Sequence, residues 1–166
     1  MSLGVFGTVL AMAIVVVGYE TAIRATRVNP PEMKLFGLVP KAFLTVPLMG
    51  VVTFAGFVTM GIINRRRPEI HRPMMFMASM SVIAAAMGRM PALNEWYAGT
   101  WVEQWFSAFL TTVVLGVVLL VIKCGLERRW DRWFAGALGV LTLICVATSL
   151  VAKTSVWMQV ATWLLG

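Results

Sequence analysis

The chain has 166 residues, of which 60% are hydrophobic and 13% charged, and its formal net charge is +7. Soluble domains carry roughly 45–50% apolar and about 25% charged residues, so this composition excludes an ordinary soluble protein. The basic residues fall in short gaps between apolar runs rather than along one polar face. This placement speaks against a nucleic-acid partner and is typical of residues at the level of lipid headgroups.

Five apolar stretches have the roughly 20-residue length that crosses a hydrocarbon core as an α-helix. Strands are excluded because an open sheet edge does not survive in lipid and the alternating pattern of a barrel is absent. The sequence therefore predicts an all-α integral membrane protein, with residues 1–166 in a single transmembrane helical domain. The five predicted spans are residues 3–23, 40–63, 73–93, 105–124 and 133–152.

A short amphipathic segment, residues 154–165, follows the fifth span. Trp157, Ala161 and Leu164 fall on one side of a helix there, and polar residues lie elsewhere. Such a segment lies in the membrane interface or extends the preceding span. We predict a short interfacial C-terminal segment.

Basic residues also predict the orientation. Loops 64–72 and 123–132 hold eight of them, and the opposite side of the predicted bundle holds six. Because cytoplasmic loops are enriched in Lys and Arg, we predict a cytoplasmic N-terminus and the C-terminus outside. Arg24 and Arg27, which follow the first span, favour the reverse orientation.

The third span is rich in small residues, among them Ser81, Ala84, Ala85 and Gly88. In lipid, close packing at small residues takes the place of a hydrophobic driving force between helices. We therefore expect the third span to be the helix most surrounded by protein.

A sequence pattern is formed by VPL at residues 46–48, RRRPEIHRPMMFMAS at 65–79 and AAAMGRMP at 84–91. It resembles a family of uncharacterised bacterial multi-pass membrane proteins, whose typical form is a PLxD-like helix, an RRRPExHKRLMLLAT loop and helix start, and a following ArxP. The resemblance extends in weaker form over most of the chain. It implies a multi-pass protein of the bacterial inner (cytoplasmic) membrane and no particular activity. The motif positions are Arg67, Pro68, Glu69, His71, Arg72, Met75 and Arg89.

Members of that family look longer at the N-terminus. They carry further helices with histidines and an HRRLG segment just before the position of Leu3 and Gly4. We therefore expect this chain to be a shortened member, or one whose start was placed late. In both cases the upstream histidines are not part of this sequence.

His71 and Arg89 form the first candidate site. His71 is the only histidine, and histidine relays protons or ligates haem iron and other metals; in a basic turn it also simply meets headgroups. Arg89 needs an acidic partner because a charge within the membrane is costly, and Glu20, Glu95 or Glu103 can serve. A haem or quinone near His71 and Arg89 is one hypothesis, and a structural ion pair is its alternative.

A methionine stripe is the second candidate site. Met74, Met77, Met80 and Met87 fall close to one line along the third span, and thioethers so arranged can pass Cu(I). Packing is the alternative, because flexible methionine side chains suit a crowded helix interface.

The loop over residues 65–72 is the third candidate site, a binding surface for lipid headgroups. Pro68 stiffens the bend and the next helix begins at once, so the charges stay close to the membrane plane. Each basic residue near an anionic surface contributes on the order of 1 kcal/mol. Glu69 is expected to pair with Arg65 or Arg72. The headgroup-binding residues are Arg65, Arg66, Arg67 and Arg72.

Catalytic signatures are absent from the sequence, which has no Ser-His-Asp set, HExxH motif, phosphate-binding glycine loop or paired carboxylates on one helix face. No Asp or Glu lies mid-span, which speaks against a proton pump or an ion-coupled transporter. We predict a non-enzymatic accessory subunit or a small-molecule- or lipid-binding module, with membrane lipids and other membrane protein subunits as partners. No motif indicates a cofactor. Redox and copper-handling roles at the first two candidate sites stay open.

Overall fold

The computed structural model describes residues 2–30, 38–87, 90–97 and 99–166. Every regular element in these ranges is helical, which confirms the predicted all-α fold. The helices are α1 (Ser2–Val28), α2 (Pro40–Phe43), α3 (Thr45–Ile63), α4 (Pro68–Met87), α5 (Pro91–Asn94), α6 (Trp101–Phe106), α7 (Leu110–Glu127), α8 (Arg132–Val151) and α9 (Ser155–Leu165), with 3₁₀ turns at Glu95–Tyr97 and Ser107–Phe109.

Four segments of the described chain are long and apolar enough to cross a membrane. They correspond to the first, second, fourth and fifth predicted spans, so the chain is a helical membrane protein. The segments are Gly4–Val28, Pro40–Ile63, Trp101–Glu127 and Arg132–Val151.

The third predicted span, residues 73–93, is wrong at its start, because α4 begins at Pro68 and contains Pro73. α4 has 20 residues and measures about 30 Å, the thickness of a hydrocarbon core. Its N-terminal half lies beside α8, where the ring centroids of Phe76 and Phe134 are 5.4 Å apart. Its C-terminal end lies beside the start of α7, where Thr112 Oγ1 is 3.8 Å from Met87 Sδ. α4 therefore runs the length of the bundle, but among the described residues it is not one of the four segments that are long and apolar enough to cross a membrane. The fifth crossing stays a prediction.

The bundle has two different ends. Residues 64–67, between α3 and α4, and residues 128–131, between α7 and α8, lie at one end, which we call the arginine end. The C-terminal turn of α1 lies at the other end with α2, α6 and α9; α9 packs on α2 and α1, and α6 packs on α8. We call this the α9 end.

α4 lies inside the bundle and packs against α3, α7 and α8, and α3 packs against α1, α4 and α8. The buried face of α4 is at most 3% exposed at Met77, Ala78, Met80 and Ala84, so the third predicted span shares the centre of the bundle with the second. The enclosure is not complete. An exposed strip along the same helix comprises Met75, Phe76, Val82 and Ile83.

The fourth predicted span, residues 105–124, is wrong at its start, because the helix is interrupted. Ser107 has φ 46°, a positive value that non-glycine residues rarely adopt, and it separates α6 from α7. The Tyr97 hydroxyl donates to the Ser107 carbonyl at 3.0 Å. A side chain thus satisfies a backbone acceptor at the interruption.

α9 is separated from α8 by a turn at residues 152–154 and lies across α1 and α2. Ala161 is fully buried in a cluster with Ala22 and Leu44. The Trp157 indole N–H donates to the Lys41 carbonyl at 3.1 Å. The predicted C-terminal segment is therefore a separate helix, not an extension of the fifth span.

Candidate functional site

An elongated cavity of about 730 Å³ lies between α1 and α4, with α3 as a third wall. Its lining on α1 extends from Ile14 to Asn29, which at 1.5 Å per residue is a length of about 22 Å. Ligand pockets in proteins typically measure roughly 300–1,000 Å³. The cavity is therefore large enough for a small molecule or a lipid chain.

The cavity exists because α1 is held to the bundle away from α4. Gly18 of α1 meets α3 so closely that a Cβ there would lie 2.7 Å from Val51 Cγ2. At the α9 end the Arg27 guanidinium donates to the Leu165 carbonyl at 3.1 Å. These two attachments fix α1 against α3 and α9, and a gap remains on the side of α4.

Polar groups in the cavity wall concentrate at the α9 end. Thr21, Thr26 and Asn29 line this end, whereas the deeper wall on α3 and α4 is apolar except for Ser81. The Thr26 hydroxyl donates to the Ala22 carbonyl at 2.9 Å. Among the described residues, the Asn29 side-chain amide has no hydrogen-bond partner, so its donors and acceptor are open to a ligand.

Two cations lie beside the same end of the cavity, at Arg27 and Lys41. Both contact neutral acceptors on α9, namely the Leu165 carbonyl and, at 3.5 Å from Lys41 Nζ, the Thr162 hydroxyl. Within the described residues neither cation has an acidic partner within 4 Å. The α9 end of the cavity is therefore polar and positively charged.

His71 lies in the first turn of α4, half-buried, at the arginine end. Its Nδ1 is 2.7 Å from the Gly61 carbonyl oxygen, one of the last carbonyls of α3. Since a carbonyl only accepts, Nδ1 carries the proton and Nε2 keeps its lone pair in the neutral ring. His71 thus joins the end of α3 to the start of α4.

The structure does not bring His71 to the cavity. Ser81, a lining residue of α4, lies ten residues further on, about 15 Å along the helix axis. Arg89, the second member of the predicted pair, lies outside the described residues. Met87, the last residue of α4, is about 24 Å from His71 along the axis, so His71 and the C-terminal end of α4 belong to opposite ends of the bundle.

The predicted methionine stripe is part of the core. Met74 is 9% exposed, Met80 1% and Met77 0%, and all three belong to the cluster in which α3, α4, α7 and α8 pack. Their side chains are covered by apolar neighbours, which favours the packing interpretation. Met87 is half-buried and its sulfur lies beside the Thr112 hydroxyl.

The arginine loop, residues 65–67 with Arg72, is exposed on all four side chains. The expected local ion pair is absent, because within the described residues no acid lies within 4 Å of Arg65 or Arg72, and Glu69 has no basic partner. The four guanidinium groups therefore face outward without neutralisation.

The turn between α7 and α8 adds charge to the same end. Asp131 accepts from the backbone N–H groups of Trp133 and Phe134, at 3.0 and 2.9 Å, and pairs with Lys123. Although burial opposes it, the Lys123 ammonium and these N–H groups lower the pKa of Asp131. Arg128 and Arg132 stay exposed, so the arginine end is basic over both loops.

The cavity wall on α1 was not found by sequence reasoning. Its signal is a face at helical spacing formed by Gly18, Thr21, Thr26 and Asn29. That pattern is typical of a cavity wall but also of a helix end that approaches headgroups. Only the gap between α1 and α4 distinguishes these two interpretations.

Comparison of the chain with protein-family models, with curated proteins and with solved structures finds no match.

Proposed function

We propose that this protein is a non-enzymatic membrane module that binds a lipid-like amphiphile in the cavity between α1, α3 and α4. The observation that carries the proposal is the cavity itself, which is long, mostly apolar and polar at one end. Pockets of this kind use apolar walls for affinity and a few polar groups for orientation.

The shape of the cavity favours a chain over a compact ring system. A volume of about 730 Å³ over a length of about 22 Å leaves a mean cross-section of about 33 Å². One leaflet of a bilayer is about 15 Å deep in hydrocarbon, so an acyl or isoprenoid chain of ordinary length fits within the cavity.

The direction of the ligand follows from the polar end. Its head lies at the α9 end, beside Thr26 and Asn29, where hydrogen-bonding groups are open and Arg27 and Lys41 supply positive charge. Its chain extends toward Ile14 and Phe54. An anionic or hydroxyl-bearing head is therefore favoured over a cationic one.

Membership of the multi-pass family, and the bacterial inner membrane as its location, are part of the proposal. The arginine end faces the cytoplasm, since its unneutralised arginines over both loops fit the positive-inside bias. Arg65, Arg66, Arg67 and Arg72 bind anionic headgroups of that leaflet. The N-terminus then lies inside and α9 outside.

A redox role is the second candidate function, and one observation favours it. The Nδ1–H of His71 is held by a backbone carbonyl, and metal-ligating histidines are commonly oriented in this way so that Nε2 is free. A haem or quinone at this position would lie at the arginine end, separate from the cavity. An optical spectrum of the purified protein tests this alternative, because haem gives a Soret band.

Lipid analysis of the purified protein tests the proposed function. The protein is extracted in mild detergent, delipidated on a column with the same detergent, and examined by native mass spectrometry. We expect about one amphiphile per chain to survive washing that removes annular lipid. A protein that releases all lipid under these conditions, and rebinds none from mixed phospholipid vesicles, would contradict the proposal.

A further inference from the structure

α9 (Ser155–Leu165) has three sides, and each meets a different environment. Residues spaced four and then three positions apart lie on one side of an α-helix, and one step along the chain turns that side by about 100°. Three consecutive series of this spacing therefore mark three adjacent sides of α9. The series begin at Ser155, Val156 and Trp157.

The series that begins at Trp157 faces the protein. Its second member, Ala161, is 0% exposed and belongs to a cluster with Ala22 of α1 and Leu44, which precedes α3. Trp157 and Leu164 are partly buried against the same cluster. This is the side that the sequence singles out as apolar. Because other parts of the bundle cover it, it is not the side that meets lipid.

The other two sides of α9 are exposed and differ in polarity. One is apolar, with Val156 67%, Val160 41% and Trp163 80% exposed, and we call it the valine side. The next carries hydroxyl and amide groups, and we call it the polar side. A helix that lies along a membrane surface has such a division, with one side among acyl chains and the other in water. The polar side consists of Ser155, Gln159 and Thr162.

Both ends of α9 lie beside the ends of segments that are long and apolar enough to cross a membrane. One such segment is α8, which ends at Val151, and only the turn at residues 152–154 separates it from α9. At the other end of α9 the Leu165 carbonyl accepts from Arg27, near the end of the segment Gly4–Val28. α9 is therefore at the level of the membrane surface. Its 11 residues measure about 16 Å, about half the thickness of the hydrocarbon core, so it does not cross.

We propose that α9 is a membrane-surface helix, with the valine side inserted at the boundary between the headgroups and acyl chains of this leaflet and the polar side in water. The indole ring of Trp163 suits this level, because tryptophan is enriched at membrane interfaces. Surface helices are also held by cations that meet anionic headgroups. Arg27 and Lys41 supply the cations here, since they are bonded to the Leu165 carbonyl and the Thr162 hydroxyl of α9.

The size of the valine side favours lipid over another protein as its partner. A stable protein–protein interface takes roughly 20–30 residues from each partner, and the valine side consists of three. Lipid needs no such area, because it already surrounds the spans to which α9 is joined. The surface helix is also independent of the cavity, and we expect it to lie in the membrane whether or not an amphiphile occupies the cavity.

Spin labels at two neighbouring positions test the proposal. Cys124 and Cys145 are first replaced by Ala, and single cysteines are then introduced as Val160→Cys on the valine side and Gln159→Cys on the polar side. The labelled proteins are reconstituted in vesicles of phosphatidylcholine and phosphatidylglycerol. Collisions of each label are measured with oxygen, which concentrates in the bilayer, and with a water-soluble nickel chelate. We expect the ratio of oxygen to nickel collisions to be severalfold higher at residue 160 than at residue 159.

Two reference labels set the scale. Leu143→Cys, at a position of α8 that is 71% exposed, gives the ratio for acyl chains, and Arg129→Cys, in the turn between α7 and α8, gives the ratio for water. All four labelled positions are exposed, so the variants are expected to fold. Equal ratios at residues 159 and 160 would show that the two sides share one environment and would overturn the proposal. A label at residue 160 that neither reagent reaches would also overturn it, because a protein surface, such as a second copy of the chain, would then cover the valine side.

Discussion

The Nδ1 atom of His71 lies 2.7 Å from the carbonyl oxygen of Gly61, and this contact joins the last turn of α3 to the first turn of α4. The final carbonyls of a helix have no partner within the helix. His71 supplies one. The only histidine of the chain thus has a structural task where α3 and α4 approach closely, since a Cβ on Gly61 would lie 2.8 Å from Met75 Sδ.

Replacing His71 is expected to weaken the α3–α4 hairpin. His71→Ala removes the donor to Gly61 and costs about 1 kcal/mol, whereas His71→Asn keeps an amide donor near the position of Nδ1 and costs less. Thermal unfolding in detergent measures both. A His71→Ala protein as stable as the wild type would contradict the structural role of His71. Loss of a Soret band that the wild type shows would support the redox hypothesis.

The contact of Gly18 with Val51 is expected to be essential for the position of α1. A methyl group at residue 18 would lie 2.7 Å from Val51 Cγ2, and the branched Val51 side chain has little freedom to move. Gly18→Ala therefore displaces α1 and reduces lipid retention. Gly7→Ala is the control, because nothing lies within 4 Å of a Cβ there, and it is expected to retain lipid and to gain slightly in helix propensity.

The turn between α7 and α8 is expected to be sensitive to acid. Asp131 has a lowered pKa, so its carboxylate stabilises the folded state above its ordinary pKa of about 3.9, and this stability is lost as the pH falls below that value. Asp131→Asn keeps the helix cap but loses the pairing with Lys123. Its unfolding temperature should thus depend less on pH than that of the wild type between about pH 6 and pH 3. Equal slopes would contradict this role for Asp131.

The arginine loop is expected to fix the orientation. Replacing Arg65, Arg66 and Arg67 together by Ala removes three positive charges. The loss of attraction to anionic headgroups is on the order of 3 kcal/mol, and we expect an inverted or mixed topology. Reporter fusions after Asn64 and Gly125 measure it. If both fusions keep their cytoplasmic signal and the anionic lipid that co-purifies is unchanged, the arginines have another task.

The helical bundle was predictable from the sequence because membrane spans depend on length and hydropathy alone. The buried face of α4 followed from small residues, as at Ala84. The interruption at Ser107 was not predictable, since no Gly or Pro marks it, and the Tyr97 hydroxyl that bonds to the Ser107 carbonyl comes from another element. Spans and buried faces follow from the local sequence pattern, whereas the interruption depends on a contact between elements.

The candidate site was less accessible to sequence reasoning. His71 was correctly singled out as unusual, but its partner, Gly61, lies on another helix and carries no side chain. The cavity depends on the gap between α1 and α4, and the polar residues of α1 that line it are equally compatible with a helix end near headgroups. The methionines at 77 and 80 were equally compatible with packing and with copper, until burial showed that apolar neighbours cover them.

A pair of phenylalanine variants on α1 examines the lipid-binding cavity most directly. Ala25 lines the cavity, and Ala13, three turns earlier on the same helix, is exposed and not part of the cavity wall. Native mass spectrometry of both variants reports the bound amphiphile. We expect Ala25→Phe to lose most of it and Ala13→Phe to retain it as the wild type does. Equal retention by the two variants, with both folded, would show that the amphiphile does not occupy the cavity and would contradict the proposed function.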